Sequence, residues 1–289
     1  MTKTNGTGWW RSTTRNNTRC GPPRTRSLPA GTPWDRPGHN RSGTPMSRNI
    51  GPICVHAACV ADGRVRVTVE VLLARIEPMG ENLPLHAWAC LTPLDRARAE
   101  RFTRTGDRVR FVAARLLLRV ALRHRFGVAD ATLISPPGEK PSAAGTGLPA
   151  DLDVNLSHAG NLVACALGIG VAVGIDVEPL DRVVDAADIA RAQFAPEEQA
   201  SGFDTATFLR MWTLKEAVAK AAGLGLALEL SSFACATDPP RLLRSAASLG
   251  PAEAWRLESW DYASHVVALA VRGASNCIVR PQHIELATT

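Results

Sequence analysis

Apolar residues recur at every second position along "RVRVTVEVLL", the segment that begins at Arg64. This period of two predicts a strand with one buried face. Further apolar segments predict strands near 161–167, 171–178, 254–260 and 264–271. The first 50 residues show no such periodicity and are rich in Gly, Pro, Thr, Asn and Arg, which predicts a disordered tail.

Helical segments lie between the predicted strands. Thr92 as N-cap and Pro93 as first helical residue predict a helix over 93–104. Glycines at 127 and 223 are suited to end two longer helices. The remaining predicted helical segments cover 107–126, 186–198 and 205–222.

Each half of the chain therefore combines strands with two helices, and a Pro/Gly-rich stretch from Ser135 to Pro149 separates the halves. This arrangement predicts an α+β fold built from a duplicated unit. The predicted divisions are a basic tail (1–50), an N-terminal subdomain (64–145), a C-terminal subdomain (146–275) and a C-terminal tail (276–289).

The formal net charge of +6 resides in the N-terminal tail. Residues 1–50 contain nine basic residues and one acid, which leaves −2 for the rest. We therefore expect no nucleic-acid partner for the folded part. A tail that binds nucleic acid or a membrane stays open as an alternative, because three tryptophans lie among its arginines.

The longest apolar run, about 162–175, contains three glycines and is shorter than the roughly 20 residues that span a bilayer. We expect no membrane association. Seven scattered cysteines include no CxxC pair, so neither a zinc site nor a redox pair is indicated. No signal peptide is recognisable, and a cytoplasmic location is expected.

Two carboxylates share one face of the strand in "VAVGIDVEPL". A period of two places Asp176 and Glu178 beside Ala172 and Gly174, whose small side chains could form a floor for a ligand. Carboxylates about 5 Å apart repel by about 3 kcal/mol at an effective dielectric constant near 20. A buried pair therefore requires a cation or basic side chains, whereas an edge strand with solvated acids is the alternative.

The helix over 205–222 supplies a third acid. Trp212, Glu216 and Lys220 follow one another at spacings of four, and Lys215 lies one step round the helix. An ordinary Glu–Lys surface pair is the alternative. The chain has four lysines, and three of them (Lys140, Lys215 and Lys220) fall in these motifs. An ammonium group is a compact partner for phosphate.

Three further motifs offer anion-binding groups. In "NLSHAG", Ser157 and His158 end a strand, where they suit phosphate binding better than nucleophilic catalysis. Arg110 lies on an apolar stripe of its helix, an unusual place for a solvated charge. A separate arginine stripe is predicted to face solvent, and it consists of Arg115, Arg119 and Arg123.

Taken in order, "GEKP", "NLSHAG", "VGIDVEP" and "FLRMWTLKEAVAKAAGLGL" resemble the motifs of the Sfp-type 4'-phosphopantetheinyl transferases. The hallmark of that family is G-[IV]-D-[IV]-E, followed by W-x-x-K-E-[AS]-x-x-K. Here the two are Gly174–Glu178 and Trp212–Lys220, and the resemblance covers roughly residues 65–275.

The resemblance implies two similar α/β subdomains related by a pseudo-twofold axis, with coenzyme A between them. It implies transfer of the 4'-phosphopantetheine arm of coenzyme A to a serine of an apo acyl or peptidyl carrier protein. Adenosine 3',5'-bisphosphate would be released, Mg²⁺ would be required, and the enzyme would act as a monomer.

The resemblance also assigns roles to residues. Asp176, Glu178 and Glu216 would hold Mg²⁺ on the pyrophosphate. Glu216 is a candidate base for the carrier serine, and Glu198 is a weaker one. The coenzyme A contacts would come from the phosphate-binding lysines and from the residues around the nucleotide end, namely Lys215, Lys220, Arg110, Lys140, Pro141, Ser157 and His158.

Two departures from the family pattern concern the 3'-phosphate and the carrier surface. Leu224 replaces a lysine after the last helix, and Asp95 occupies a position that is often basic. Two other functions stay open. A Mg²⁺-dependent nuclease would use the D-x-E strand with the helical Glu and Lys as a metal cluster and the basic tail as a nucleic-acid arm. A non-catalytic binder of coenzyme A or carrier protein would account for the missing lysine at 224.

Overall fold

The computed structural model describes residues 58–61, 64–76, 85–128, 131–134, 140–199, 203–274 and 276–286. The predicted basic tail, residues 1–50, lies outside them. All described residues belong to one unit, Val55–Thr289.

Helix ends in the described part of the chain follow the capping signals of the sequence. Thr92 and Asp204 accept hydrogen bonds from main-chain N–H groups of the first helical turn, at 3.1 and 2.7 Å. Gly127 and Gly223 end their helices at φ values of 70° and 71°, a left-handed conformation that favours glycine. The helices are α1 (Leu85–Ala89), α2 (Pro93–Glu100), α3 (Thr105–Phe126), α4 (Ala186–Gln193) and α5 (Thr205–Ala222).

Two predicted helices are shorter than expected. The first ends at Glu100 instead of residue 104, and the predicted region 186–198 divides into α4 and a 3-10 turn, Pro196–Glu198. Other 3-10 turns are Gly225–Ala227, Leu230–Ser232, Ala247–Leu249 and Ala252–Ala254. None of the described helices combines the length and apolar character that a membrane span requires.

Within the described ranges the strands form two main sheets and two small hairpins. In chain order they are β1 (Ala58–Ala61), β2 (Arg64–Arg75), β3 (Thr132–Ile134), β4 (Ser142–Ala144), β5 (Leu152–Ala159), β6 (Leu162–Ile169), β7 (Ala172–Pro179), β8 (Ala234–Thr237), β9 (Pro240–Arg244), β10 (Trp255–Tyr262), β11 (His265–Arg272) and β12 (Ile278–His283). The larger sheet has the order β1-β2-β6-β5, with β12 also paired to β2, and the smaller has the order β10-β11-β7. The hairpins are β3–β4 and β8–β9.

The core is layered. Buried side chains of α3 pack on one face of the larger sheet, and those of α5 pack on one face of the smaller sheet. The other faces of the two sheets share a third cluster, which includes Val71 of β2 and Ile175 of β7. As a result β2 is buried on both faces from Val69 to Ala74, where the sequence predicts one buried face. The second face is covered because the smaller sheet packs against it.

The same order of elements occurs twice in the described chain. β2, α3, the hairpin β3–β4, β5 and β6 are followed by β7, α5, the hairpin β8–β9, β10 and β11. In the first set β6 pairs with both β2 and β5, and in the second set β11 pairs with both β7 and β10. All four pairings are antiparallel. The result is an α+β fold.

Strand pairing differs from two predicted divisions of the chain. β5 and β6 fall within the range 146–275 but join the sheet of β2, so the Pro/Gly-rich stretch before them, which contains β4, does not separate the two main sheets. The prediction of a tail over 276–289 is wrong for β12, which pairs in parallel with β2. Pro281 and the lack of alternation conceal this strand in the sequence, since proline is tolerated at a sheet edge.

Candidate functional site

Asp176 lies where β5, β7 and α5 meet. One edge of β7 pairs with β11, which sets Asp176 opposite Ala268. The carboxylate is buried, with 6% of the residue exposed. A buried charge is stable only with hydrogen-bond donors or an opposite charge beside it, so its partners define the site.

Gly174, two residues before Asp176, lies directly against α5. A Cβ atom here would come within 2.1 Å of Ala217 O and 2.4 Å of Ala221 N. The interpretation of the small residues as a floor for a ligand is therefore wrong, because the helix fills that space. The close approach instead brings Lys220, on the same stretch of α5, to Asp176.

Lys220 and Ser157 both bind the Asp176 carboxylate. Lys220 Nζ donates to Asp176 Oδ1 at 2.6 Å and lies 3.2 Å from both Ser157 Oγ and Ile175 O. Ser157 Oγ donates to the same carboxylate oxygen at 2.8 Å. The basic counter-charge expected from the sequence is thus present, and three separate motifs meet at one carboxylate.

Glu178 and Glu216 add negative charge beside Asp176. Burial, followed by the charge of Asp176, raises the pKa of Glu178 to about 7, although Arg182 and Lys220 oppose the shift. The same two causes raise the pKa of Glu216, again opposed by Lys220. Arg182 pairs with Glu178 and Lys220 pairs with Asp176, so two cations face three carboxylates at this corner.

This donor set suits a hard divalent cation. Carboxylate oxygens are the ligands that Mg²⁺ prefers, and a cation would offset the charge of Asp176, which adds to burial in raising both pKa values. Across the ranges the structure describes, no group of three or more His, Cys, Asp or Glu side chains has the geometry of a metal site. Asp176, Glu178 and Glu216 fit a metal by chemistry and charge, while Lys220 holds one oxygen of Asp176.

β5 presents a row of polar side chains to the open edge of β7. Asp153 Oδ2 accepts from Val173 N at 2.7 Å, and Asn155 Oδ1 accepts from Ile175 N at 2.8 Å. Ser157 is the next residue on this face. The sequence interpretation includes Ser157 but misses the other two, although alternation in "DLDVNLSHAG" was the signal that could have found them.

Lys140 lies at the far end of this row. It forms an ion pair with Asp153 and donates to Val173 O at 2.6 Å. Burial lowers the pKa of the Lys140 ammonium, and the Asp153 charge opposes the shift. The Lys140 ammonium therefore lies beside β7 at Val173, and Pro141, the next residue, is partly buried.

His158 is partly buried beside several cations. Burial, followed by the charges of Lys220, Arg110 and Arg115, lowers the pKa of His158 to about 4. Arg110 Nη1 donates to Gly160 O at 3.1 Å, in the turn that follows β5. The neighbouring cations, which add to burial in disfavouring an imidazolium, would attract an anion.

Known proteins match the same elements. The family model of the 4'-phosphopantetheinyl transferase superfamily matches residues 172–270. The 4'-phosphopantetheinyl transferase HetI of Nostoc sp. is 34% identical over 202 residues, which cover 64% of this chain and 80% of that relative. The chain belongs to the 4'-phosphopantetheinyl transferase family.

Other transferases of the family match a shorter stretch. One from Bacillus subtilis is 32% identical over 151 residues, covering 50% of this chain and 66% of the relative. The transferase Sfp of Bacillus subtilis strain 168 is 28% identical over 149 residues, covering 50% of this chain and 65% of the relative. The chain thus spans just under two thirds of these two relatives. The family match over 172–270 includes Asp176, Glu178, Glu216 and Lys220.

Lys215 does not reach the site of this transferase. Its side chain is 0% exposed, and Nζ donates to both carboxylate oxygens of Glu198 at 2.7 Å and to Phe233 O at 2.8 Å. The prediction of Lys215 as a coenzyme A contact is wrong, because α5 directs it into the core. Glu198, the weaker candidate base, is its fully buried partner and also accepts from Ala195 N and Cys235 N.

Arg115 is also buried, which contradicts the predicted solvent-facing stripe. Its residue is 8% exposed, and Nε donates to Asp95 Oδ1 at 3.1 Å. The guanidinium carbon lies 4.5 Å from the centre of the Phe111 ring. The reason is that α2 packs on this face of α3 and supplies the acid that makes burial possible. Arg123, the last of the stripe, is exposed as predicted.

Proposed function

We propose that this chain transfers the 4'-phosphopantetheine arm of coenzyme A to a serine of an apo acyl or peptidyl carrier protein, releasing adenosine 3',5'-bisphosphate. Membership of the transferase family supports this activity. The observation that carries the proposal is the meeting of three acids with the Lys220 ammonium and the Ser157 hydroxyl at one corner.

In the proposed reaction the serine hydroxyl oxygen attacks the phosphorus that bears the pantetheine arm. A P–O bond to serine forms, the P–O bond to the adenosine bisphosphate breaks, and the serine proton passes to a base. We assign the base to Glu216. Glu216 lies on α5 in the same corner as Asp176, and a carboxylate can accept the serine proton.

The cationic side chains hold the phosphates in this proposal. Lys220 and Ser157 already donate toward a negatively charged oxygen and would bind the pyrophosphate. His158 and Arg110 would bind the nucleotide end with its 3'-phosphate, since Lys220 and Arg110 place positive charge beside His158. Lys140 and Pro141 are further proposed coenzyme A contacts, and Lys140 lies beside Val173, at the other end of the polar row on β5 from His158.

Asp176, Glu178 and Glu216 would hold a Mg²⁺ ion. When bound, the ion would neutralise negative charge on the pyrophosphate and on the leaving bisphosphate. The raised pKa values of the two glutamates support a cation at this place.

The repeated order of elements supports two similar halves related by a pseudo-twofold axis, with coenzyme A bound between them. β6 ends at Ile169 and β7 begins at Ala172, so strand pairing favours a division between these strands. We also propose that the enzyme acts as a monomer, which size-exclusion chromatography with light scattering would test.

The function is tested by incubating the full chain with coenzyme A, Mg²⁺ and a panel of apo carrier proteins from fatty-acid, polyketide and peptide synthesis. We expect a mass gain of one phosphopantetheine group on at least one carrier, and none when coenzyme A is omitted. Coenzyme A binding without a mass gain on any carrier would contradict the proposal and favour a non-catalytic binder. Mg²⁺-dependent plasmid cleavage that Asp176→Ala abolishes would favour a nuclease.

A further inference from the structure

The edge of β7 that faces β5 is paired by side chains instead of a neighbouring strand. Val173 and Ile175 each direct their main-chain N–H and C=O groups to this edge. Each of these four groups has a side-chain partner within 3.2 Å. Since unpaired main-chain groups on a buried edge are destabilising, these side chains replace a strand. Asp153 binds Val173 N, Lys140 binds Val173 O, Asn155 binds Ile175 N and Lys220 binds Ile175 O.

Ile175, the residue immediately before Asp176, is held from both of its main-chain groups. Asn155 Oδ1 accepts from Ile175 N at 2.8 Å, and Lys220 Nζ donates to Ile175 O at 3.2 Å. Lys220 donates to Asp176 as well. The position of Ile175 therefore sets the geometry between Asp176 and Lys220.

The two β5 side chains that accept from β7, Asp153 and Asn155, differ in charge, and each suits its surroundings. Asp153 is ionisable and is paired with Lys140. Asn155 is neutral and 4% exposed, and it lies two residues nearer along β5 to the cluster of Asp176, Glu178 and Glu216. A carboxylate at 155 would add a further negative charge where burial and the charge of Asp176 already raise the pKa of Glu178 and Glu216. Asparagine supplies the acceptor without that charge.

We propose that Asn155 is a positioning residue of the transferase, which clamps Ile175 so that Asp176 and Lys220 keep their mutual geometry. It acts through the strand and touches no substrate. The inference rests on the proposed function, because it gives Asp176 and Lys220 a part in that reaction.

The test replaces Asn155 by leucine, which has nearly the same size but no acceptor for Ile175 N. We expect kcat for carrier modification to fall on the order of tenfold, with little change in KM for coenzyme A. The matched control is Val154→Ala, since Val154 is buried on the opposite face of the same strand, in the cluster under α3. It lowers stability without touching the edge of β7, so kcat should remain at the wild-type value.

A second readout needs no substrate. Amide hydrogen exchange measured by NMR should show faster exchange at Ile175 in Asn155→Leu, while Val154→Ala leaves that amide protected. If the leucine variant does not fold, Asn155→Ala removes the acceptor without adding apolar volume, and the same two measurements apply.

Wild-type kcat together with wild-type protection of Ile175 in the Asn155 variant would overturn the positioning role. If kcat fell in Val154→Ala as much as in Asn155→Leu, the positioning role would also be overturned. If the wild-type enzyme modified no carrier, the proposed function would be contradicted instead, and the exchange experiment would still decide whether Asn155 clamps β7.

Discussion

The main-chain oxygen of Ala217 lies 2.1 Å from the point where a Cβ atom on Gly174 would stand. This contact shows that α5 packs at a short distance from β7, which a side chain at position 174 would prevent. It places Lys220 Nζ 2.6 Å from Asp176 Oδ1 and brings Glu216 to the same corner. The site depends on the absence of a side chain at one position.

Gly174→Ala should therefore move α5 away from β7. The added methyl group meets main-chain atoms, which cannot rotate aside, so we expect a loss of unfolding free energy on the order of 3 kcal/mol. The proposed transferase activity should fall further than stability alone explains, because Lys220 and Asp176 separate. Urea unfolding and carrier modification at a temperature where the variant stays folded would measure the two effects.

Gly106→Ala is the matched control. A Cβ at Gly106 meets the tip of the Arg110 side chain at 3.5 Å, an ordinary contact, and alanine favours a helix over glycine. Stability should stay the same or rise. A Gly174→Ala variant that behaved like this control would show that the close approach does not build the site.

Glu216→Gln should abolish most carrier modification while leaving the fold at least as stable as the wild type. The charge of Glu216 is disfavoured by burial and by Asp176, so its removal relieves repulsion in the folded state. Glu229→Gln, at an exposed position, serves as the control and should change neither property. Near-normal turnover in Glu216→Gln would remove Glu216 from the base and metal roles.

Lys215→Met should destabilise the protein by about 3–5 kcal/mol, because Glu198 would be left as an unpaired buried charge. The KM for coenzyme A should stay unchanged in the folded variant, since Lys215 lies in the core. Chemical unfolding and steady-state kinetics would measure both. Arg191→Met breaks an exposed ion pair with Asp188 and should have no measurable effect. A raised KM at normal stability would restore Lys215 as a ligand contact.

His158 predicts a pH dependence of stability. Its pKa is lowered from 6.5 to about 4 in the folded state, so between these values the unfolded chain binds a proton that the folded chain does not. The unfolding free energy should therefore fall as the pH is lowered through this window, by about 2–3 kcal/mol from this residue.

Urea unfolding at pH 7 and pH 4.5 would measure this dependence. His158→Asn should lose part of it, whereas His124→Asn, at an exposed position of α3, should keep it. Equal pH dependence in the wild type and His158→Asn would show that His158 does not carry the effect.

Local patterns were sufficient to predict the main elements. The period of two in the strands and the capping residues Thr92, Gly127 and Gly223 are short-range signals, and they agree with the structure. β12 was not predicted from the sequence, because its pairing with β2 joins residues about 210 positions apart. It also contains Pro281, which is tolerated at a sheet edge. Such a contact leaves no periodic trace.

The sequence by itself determined the family, through motifs whose order and residue types point to a shared chemistry. It also placed Asp176, Ser157 and Lys220 on separate elements that carry those motifs. Only the tertiary structure decided that α5 packs on Gly174, that Lys215 turns into the core, and that Asn155 and Asp153 pair the open edge of β7. The physical reason is that burial and hydrogen-bond partners arise from packing between distant segments, which local spacing does not encode.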